Sequence, residues 1–295
     1  MLVVTATGRE AEDLSAELAA MLGDAVAYFP AWETLPHERL SPGVDIIGRR
    51  AQVLDRLSRG EVRVVVTAAR GFSQPILQEV EGRAPIRLAE EEEHDLTGLV
   101  EALDFKAYRH VDMVARKGEY AIRGGILDVY PTTLDYPVRV EFWGDEITDI
   151  RQFSVADQRT IPEIEVGAVD VYPARELPVT DAVARRAGEL AQKHPGNPAL
   201  VELLTKLGEK IPADGMEALL PALSDAPMVT LTDFLDASAH VVLVAPEKIR
   251  TRISDLVDTD AEFLAAGWEA AAMGADGPLA TDCRLYTSLM ARGRR

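Results

Sequence analysis

The sequence predicts the α/β fold class, with a parallel-sheet domain interrupted by an inserted β-rich α+β domain. The first segment alternates β-branched runs with amphipathic stretches, the pattern of a parallel sheet flanked by helices. From Tyr108 the apolar residues recur at every second position, which is typical of antiparallel strands. Helical spacing then returns, and the late run HVVLVAP has the composition of a buried strand. We expect this run to join the first sheet.

The first part of the α/β domain is assigned to residues 1–85. LVVTAT, DAVAYFP and VRVVVTAAR are short apolar runs with strand composition, and REAEDLSAELAAML and IIGRRAQVLDRLSRG carry helical spacing between them. A boundary is signalled near Pro85. The acidic run from Glu90 to Asp95 is interpreted as the start of a helix, LTGLVEALDF, because acids in a first turn suit the helix dipole.

The inserted domain is assigned to residues 86–171. Its period-two segments are separated by Lys117-Gly118, Gly124-Gly125 and Gly144-Asp145. Glycine-containing pairs of this kind are typical of the tight turns of antiparallel hairpins. Each pair therefore predicts a hairpin.

The second part of the α/β domain is assigned to residues 172–273. DAVARRAGELAQKHPG and ALVELLTKLGEKI predict two helices, and the strand HVVLVAP is followed by the helix EKIRTRISDLV. Residues 274–295 show no periodicity and are interpreted as a linker or a truncated tail.

One strand of the inserted domain has an unusual polar face. Alternation in PVRVEFW sends two valines and a phenylalanine to one side, and Arg139, Glu141 and Trp143 to the other. Arg123, in the neighbouring run YAIRG, is expected to join the second face. An exposed tryptophan flanked by arginine is the composition of protein-interface hot spots. The alternative is that Trp143 packs over the end of a hairpin with its indole N–H satisfied.

Composition and charge argue against several classes of function. The chain has 31 basic and 49 acidic residues and a formal charge of −18, which would repel a nucleic acid over most of the surface. Its single cysteine, Cys283, cannot form an internal disulfide, which fits a reducing cytoplasm. No run approaches the roughly twenty apolar residues of a membrane helix, so no membrane partner is expected.

Nucleotide and metal motifs are not found in the sequence. TATGREAED offers one glycine and no lysine, so it lacks the donors of a P-loop. The acidic segment GDEITD, residues 144–149, is explained by a Gly-Asp turn without a metal.

The histidines suggest no catalytic or metal-binding group. They are scattered and show neither HExxH nor Cys–His spacing. They are His37, His94, His110, His194 and His240.

Four blocks of sequence carry a family resemblance: WETLPHERLSPGVDIIGRR, GEYAIRGGILDVYP, RVEFWGDEITDIRQFSVADQRT and DGMEALLP. These blocks resemble, in the same order, parts of the N-terminal module of the bacterial transcription-repair coupling factor (Mfd). The resemblance extends from about Leu2 to about Trp268. That module is itself similar to the first part of the excinuclease ABC protein UvrB. The resemblance implies a degenerate, RecA-like helicase domain that has lost ATPase function, with an insert that binds the excinuclease ABC protein UvrA.

The resemblance also implies a contact surface for UvrA at Arg123, Arg139, Glu141 and Trp143. Guanidinium groups would present their fork to carboxylates of the partner. The full-length family contacts RNA polymerase and double-stranded DNA, and uses ATP and magnesium, through further domains that this segment does not match. No cofactor is expected in the segment itself.

The resemblance therefore implies a non-catalytic module that recruits UvrA to stalled RNA polymerase. Two other classes stay open from the residues alone: a stand-alone nucleotide hydrolase, and a regulatory module that docks on a translocase motor.

Overall fold

The computed structural model describes residues 1–34, 40–78, 80 and 82–272. The helices are α1 (Gly8–Leu22), α2 (Val44–Ser58), α3 (Ala69–Ser73), α4 (Leu96–Phe105), α5 (Asp181–Lys193), α6 (Pro198–Gly208), α7 (Leu220–Leu223) and α8 (Pro246–Ala272). The strands are β1 (Leu2–Thr5), β2 (Val26–Phe29), β3 (Val64–Ala68), β4 (Ile76–Leu77), β5 (Ile86–Ala89), β6 (Arg109–His110), β7 (Glu119–Arg123), β8 (Ile126–Val129), β9 (Val138–Trp143), β10 (Glu146–Phe153), β11 (Thr160–Glu165), β12 (Ala168–Val171), β13 (Met228–Val229) and β14 (Val241–Leu243). The predicted tail 274–295, Cys283 and His37 lie outside the described residues.

The chain divides into two compact units. The first comprises Met1–Gly43, Val53–Val80 and the chain from Val179 onward. The second comprises Val44–Gln52 and Glu81–Pro178. The fold is therefore mixed α/β, as the sequence predicts.

The first unit is built on a four-stranded parallel sheet in the order β14-β1-β3-β2. Leu2 pairs with Val65 of β3 on one side and with Val241 of β14 on the other. The late run HVVLVAP thus joins the sheet of the first strands, and this prediction is confirmed. Strands β1 and β3 are buried throughout, which explains their continuous apolar composition.

Alternate residues of β1 and β3 belong to two different apolar clusters. Val3 and Val66 pack with Leu14 and Leu18 of α1. Leu2, Val4 and Val65 pack in a second cluster that includes Val53 and Leu54 of α2 and Ile249 of α8. Period-two strands sandwiched between period-3.6 helices therefore account for the core of this unit.

The second unit is built on a six-stranded sheet in the order β11-β10-β9-β8-β7-β6. The pairs from β7 to β11 are antiparallel, and β6 runs parallel to β7. One face of this sheet forms the core, where the strand residues pack against Leu99 and Leu103 of α4. The strand members of that core are Tyr120, Leu127, Val129, Val138, Val140, Ile147 and Ile150.

Two of the predicted glycine turns form hairpins. Arg123 pairs with Ile126 across Gly124-Gly125, and Trp143 pairs with Glu146 across Gly144-Asp145. Gly124 and Gly144 have φ of 62° and 63°, the left-handed region that two-residue turns require and that glycine adopts without strain.

The hairpin predicted at Lys117-Gly118 is wrong. Residues 111–118 form a loop that carries the chain from β6 to β7, and those strands are parallel. Gly118 does adopt a positive φ of 81°, and its N–H donates to the Tyr130 carbonyl at 2.9 Å. The glycine signal was therefore a bend within a loop, which short-range pattern alone does not distinguish from a hairpin.

The prediction that the acidic run forms the first turn of α4 is also wrong. The helix begins at Leu96, and of the acidic run only Asp95 caps it. The Asp95 carboxylate accepts from the Gly98 N–H at 2.8 Å. The preceding glutamates lie beside β10, where Ile147 exchanges main-chain hydrogen bonds with Glu91 and Glu92, each of 2.9 Å. Two main-chain hydrogen bonds outweigh a dipole interaction of about 0.3–1 kcal/mol.

Gly48 marks a close approach in the second unit between α2 and the buried Thr132. A Cβ on Gly48 would stand 2.0 Å from Thr132 Oγ1 and 2.5 Å from its Cβ. Thr132 is held by its N–H, which donates to the Tyr108 hydroxyl at 3.1 Å, and that hydroxyl donates to the Tyr172 carbonyl at 2.9 Å. The threonine therefore has little freedom to move away.

We expect Gly48→Ala to lower the free energy of unfolding by about 1–3 kcal/mol, because overpacking outweighs the gain in helix propensity. Gly188→Ala in α5 is the matched control, since nothing lies within 4 Å of its Cβ position. The control should raise the free energy of unfolding by up to about 1 kcal/mol. Urea unfolding measures both, and a stabilised Gly48→Ala protein would contradict the packing described.

Candidate interaction face

The sequence-predicted site residues lie together on the face of the six-stranded sheet opposite the α4 core. Two cross-strand rows define this face: Arg123, Ile126, Glu141 and Asp149, and next to it Ala121, Asp128, Arg139 and Arg151. Trp143 extends it at the end of β9, and Phe153 at the end of β10. We call these ten residues the outer face.

Alternation along β9 is as predicted. Val138 and Val140 are fully buried, and Phe142 packs against the same core. Trp143 is 80% exposed, and among the described residues its indole N–H has no hydrogen-bond partner. The exposed arrangement of Trp143 is thus the observed one, in place of packing over the hairpin end.

Arg139 is bound to a carboxylate that the sequence reasoning did not single out. Its Nε donates to Asp128 Oδ1 at 2.7 Å and its Nη2 to Oδ2 at 2.8 Å. The Asp128 side chain is 2% exposed and that of Arg139 is 22% exposed. Hydrogen bonding to Asp128, opposed in part by burial, raises the pKa of Arg139 above its ordinary value. Arg139 is therefore a fixed cation.

Arg123 shares the same carboxylate. Its Nη2 donates to Asp128 Oδ2 at 3.1 Å, and its side chain is 56% exposed. Asp128 thus accepts from two guanidinium groups on neighbouring strands of the sheet. The prediction that Arg123 joins the polar face is confirmed.

An aromatic ring supports Arg139 from below. The guanidinium carbon lies 4.8 Å from the centroid of the Phe153 ring, within the range of a cation–π contact. Phe153 is fully buried and packs with Val114 and Ala121. The small side chain at Ala121 leaves room for the ring on this face.

The geometry bears on the expectation that Arg139 presents its fork to a partner. Its Nε and Nη2 already donate to Asp128, so that edge of the guanidinium is used within the sheet. A buried carboxylate requires such compensation, because an unpaired charge away from water is costly. The missed signal was the aspartate in GILDVYP, which the pairing of β8 with β9 places directly opposite Arg139.

The remaining acids of the outer face lie near these arginines. Glu141 is half-buried and adds an electrostatic contribution that raises the pKa of Arg139. Asp149 forms an ion pair with Arg151, one row further along the sheet. The outer face therefore carries mixed charge, with Trp143 as its large exposed apolar group.

The segment considered as a possible metal loop, residues 144–149, contains the hairpin turn between β9 and β10. Within the described ranges, no group of three or more His, Cys, Asp and Glu side chains is placed to hold a metal ion. His110 stacks on Tyr120, with ring centroids 5.0 Å apart, and His94 lies 3.4 Å from a Glu92 carboxylate oxygen. In the same described part of the chain, no helix is long and apolar enough to cross a bilayer.

Comparison with known proteins places the outer face in a recognised domain. Residues 86–177 match the UvrB interaction domain family, and this range contains all ten outer-face residues. The six-stranded sheet and this match define the matched part of the chain as a UvrB-like interaction domain.

The chain as a whole is similar to transcription-repair-coupling factors. It is 49% identical over 286 residues to that of Mycobacterium tuberculosis (strain CDC 1551 / Oshkosh), covering 93% of this chain and 23% of the relative. The Myxococcus xanthus protein is 33% identical over 249 residues, covering 79% and 21%. The Escherichia coli (strain K12) protein is 34% identical over 168 residues, covering 56% and 14%.

The chain is similar to the transcription-repair-coupling factors and spans 23% or less of the length of these relatives. The resemblance of the sequence to their UvrB-like module is thereby confirmed.

Glu119 anchors the loop that borders the outer face. Its carboxylate accepts from the Ala115 and Arg116 N–H groups, each at 2.9 Å, and forms an ion pair with Arg109. Burial raises its pKa, but the hydrogen bonds from the two N–H groups and from Arg109 outweigh burial, so the pKa of Glu119 is lowered. The ionised carboxylate is therefore favoured in the folded state.

We expect Glu119→Gln to lower the free energy of unfolding at pH 7 by about 1–3 kcal/mol. A lowered pKa in the folded state contributes stability above the unfolded pKa of about 4.5, and this contribution is lost as pH falls through the folded value. The parent should therefore lose more stability than Glu119→Gln between pH 5 and pH 3, by roughly that same amount. Glu12→Gln on α1 is the exposed control, and parallel pH profiles for parent and Glu119→Gln would contradict the assignment.

Proposed function

We propose that the chain is a non-catalytic interaction module of transcription-coupled nucleotide excision repair, and that its outer face binds the excinuclease ABC protein UvrA. In the longer relatives this contact would recruit UvrA to stalled RNA polymerase. The observation that carries the proposal is Trp143, 80% exposed and on the same face as Arg123 and Arg139, inside the range that matches a UvrB interaction domain.

The chemistry of the outer face supports binding to another protein. Trp and Arg are the residue types most enriched at interface hot spots, where one anchor contributes about 2 kcal/mol or more. An exposed indole gains by entering an apolar pocket, and its N–H gains by finding an acceptor there. Arg123 and Glu141 carry opposite charges in one row beside the Trp143 position, which would fix the orientation of the partner.

The charge of the chain supports a protein partner over a nucleic acid. A formal charge of −18 opposes autonomous binding to DNA. We assign contacts with RNA polymerase and double-stranded DNA, and the use of ATP and magnesium, to regions of the longer relatives that this chain does not match. The cytoplasm is the proposed location.

The proposed architecture assigns residues 1–85 and 172–273 to one degenerate, helicase-like α/β domain that residues 86–171 interrupt. Pairing of β14 with β1 in the same parallel sheet as β3 supports it, because the strands before and after the insert then share one core. Residues 274–295 remain assigned as linker or tail.

We expect Trp143→Ala and Arg123→Ala each to weaken binding to purified UvrA, measured by isothermal titration calorimetry. The loss for Trp143→Ala should be about 2 kcal/mol or more, or roughly thirtyfold in Kd. Thermal unfolding should change little, because Trp143 is largely exposed and Asp128 keeps both hydrogen bonds from Arg139 when Arg123 is removed.

Matched controls lie in the other compact unit. Met21→Ala removes an apolar side chain that is 81% exposed, and Arg9→Ala removes an arginine side chain that is 92% exposed. Both should bind as the parent does. Full binding by Trp143→Ala would overturn the proposed surface. Measurable ATP turnover would favour a nucleotide hydrolase, and capture of a separate motor fragment in place of UvrA would favour a regulatory module.

A further inference from the structure

We propose that Asp128 is the positioning residue of the outer face, and that the group it presents to a partner carboxylate is the guanidinium of Arg123. This inference rests on the proposed function. It divides the arginines by role: Arg139 belongs to the base of the face, and Arg123 makes the contact.

The different exposure of the two arginines supports this division. Arg139 is 22% exposed, donates to Asp128 through two nitrogens and lies over the Phe153 ring. Arg123 is 56% exposed and, among the described residues, hydrogen-bonds through Nη2 alone. Its Nε and Nη1 therefore keep N–H donors for a ligand outside the chain.

Asp128, on β8, makes the two cations compatible on the strands at either side of it, β7 and β9. Its 2%-exposed carboxylate accepts from both guanidinium groups, so it screens their mutual repulsion and restricts the rotamers of Arg123. A pre-positioned side chain loses less conformational entropy on binding. Without the carboxylate, Arg123 would move away from Arg139 into water.

Sheet geometry then defines the chemistry of the partner. Arg123 lies in the row of Ile126 and Glu141, and Trp143 is two residues beyond Glu141 on β9. The positions of Arg123 and Trp143 are separated by two inter-strand spacings, from β7 to β9, and by a rise of two residues along β9. These place the two positions about 12 Å apart. The surface that binds here should carry a carboxylate about 12 Å from an apolar pocket that accepts the indole.

The test is a double-mutant cycle of Asp128→Asn with Arg123→Ala, measured as Kd for purified UvrA. Asparagine keeps the size of the side chain and removes its charge. We expect Asp128→Asn to weaken binding about tenfold in the parent, and less than about threefold when Arg123 is already alanine. A general structural role would give the same loss in both backgrounds. Asp170→Asn, which alters an acid paired with Arg87 away from the outer face, should leave Kd unchanged.

Each outcome is informative. Unchanged or tighter binding by Asp128→Asn, or equal losses in the two backgrounds, overturns the positioning role while the proposed function stands. If the parent itself does not bind UvrA, the proposed function fails and this inference falls with it.

If thermal unfolding shows that Asp128→Asn does not fold, Arg139→Lys replaces it, since an ammonium keeps the charge but not the two-point contact. That variant should weaken binding severalfold in the parent and not in the Arg123→Ala background. The same Kd for Arg139→Lys and the parent overturns the role.

Discussion

The outer face of the six-stranded sheet depends on one interaction, the pairing of the buried Asp128 carboxylate with arginines. Asp128 is in the middle of a strand, with its side chain almost removed from water, and its charge is balanced by arginines from both neighbouring strands. This balance requires one register, because a one-residue shift of β8 would turn Asp128 towards the apolar core and away from both arginines. The tight turn at Gly124-Gly125 maintains that register on one side.

The two faces of the sheet use the same strands for different purposes. On one face the valines and isoleucines pack on α4 and supply the apolar burial that stabilises the unit. On the other, Phe153 is the buried ring, and it supports a guanidinium in place of an aliphatic side chain. The apolar core and the proposed recognition surface thus use opposite sides of the same strand, β9, and this follows from the period of two.

Most of the fold followed from local patterns, and the errors have a common cause. Strands such as Val64–Ala68 could be predicted because burial on both faces leaves a continuous apolar run. Helices such as Asp181–Lys193 could be predicted because their apolar residues recur at helical spacing. The Lys117-Gly118 bend and the acidic run were misassigned because their main-chain partners, Tyr130 and Ile147, are distant in sequence. Alternation within single strands was enough to predict that Arg123, Arg139, Glu141 and Trp143 share a face, whereas the ion pairs of Asp128 depend on cross-strand pairing.

Trp143 lies directly before a two-residue turn, at the tip of the hairpin that β9 and β10 form. A side chain at the tip of a hairpin can be exchanged, or the turn after it lengthened, with little effect on the strands that precede it. The Asp128 pair at the centre of the sheet has no such freedom, because a change in either residue leaves the other uncompensated. Divergence among related modules should therefore accumulate at the tip, where it retunes partner choice, while the centre stays under joint constraint.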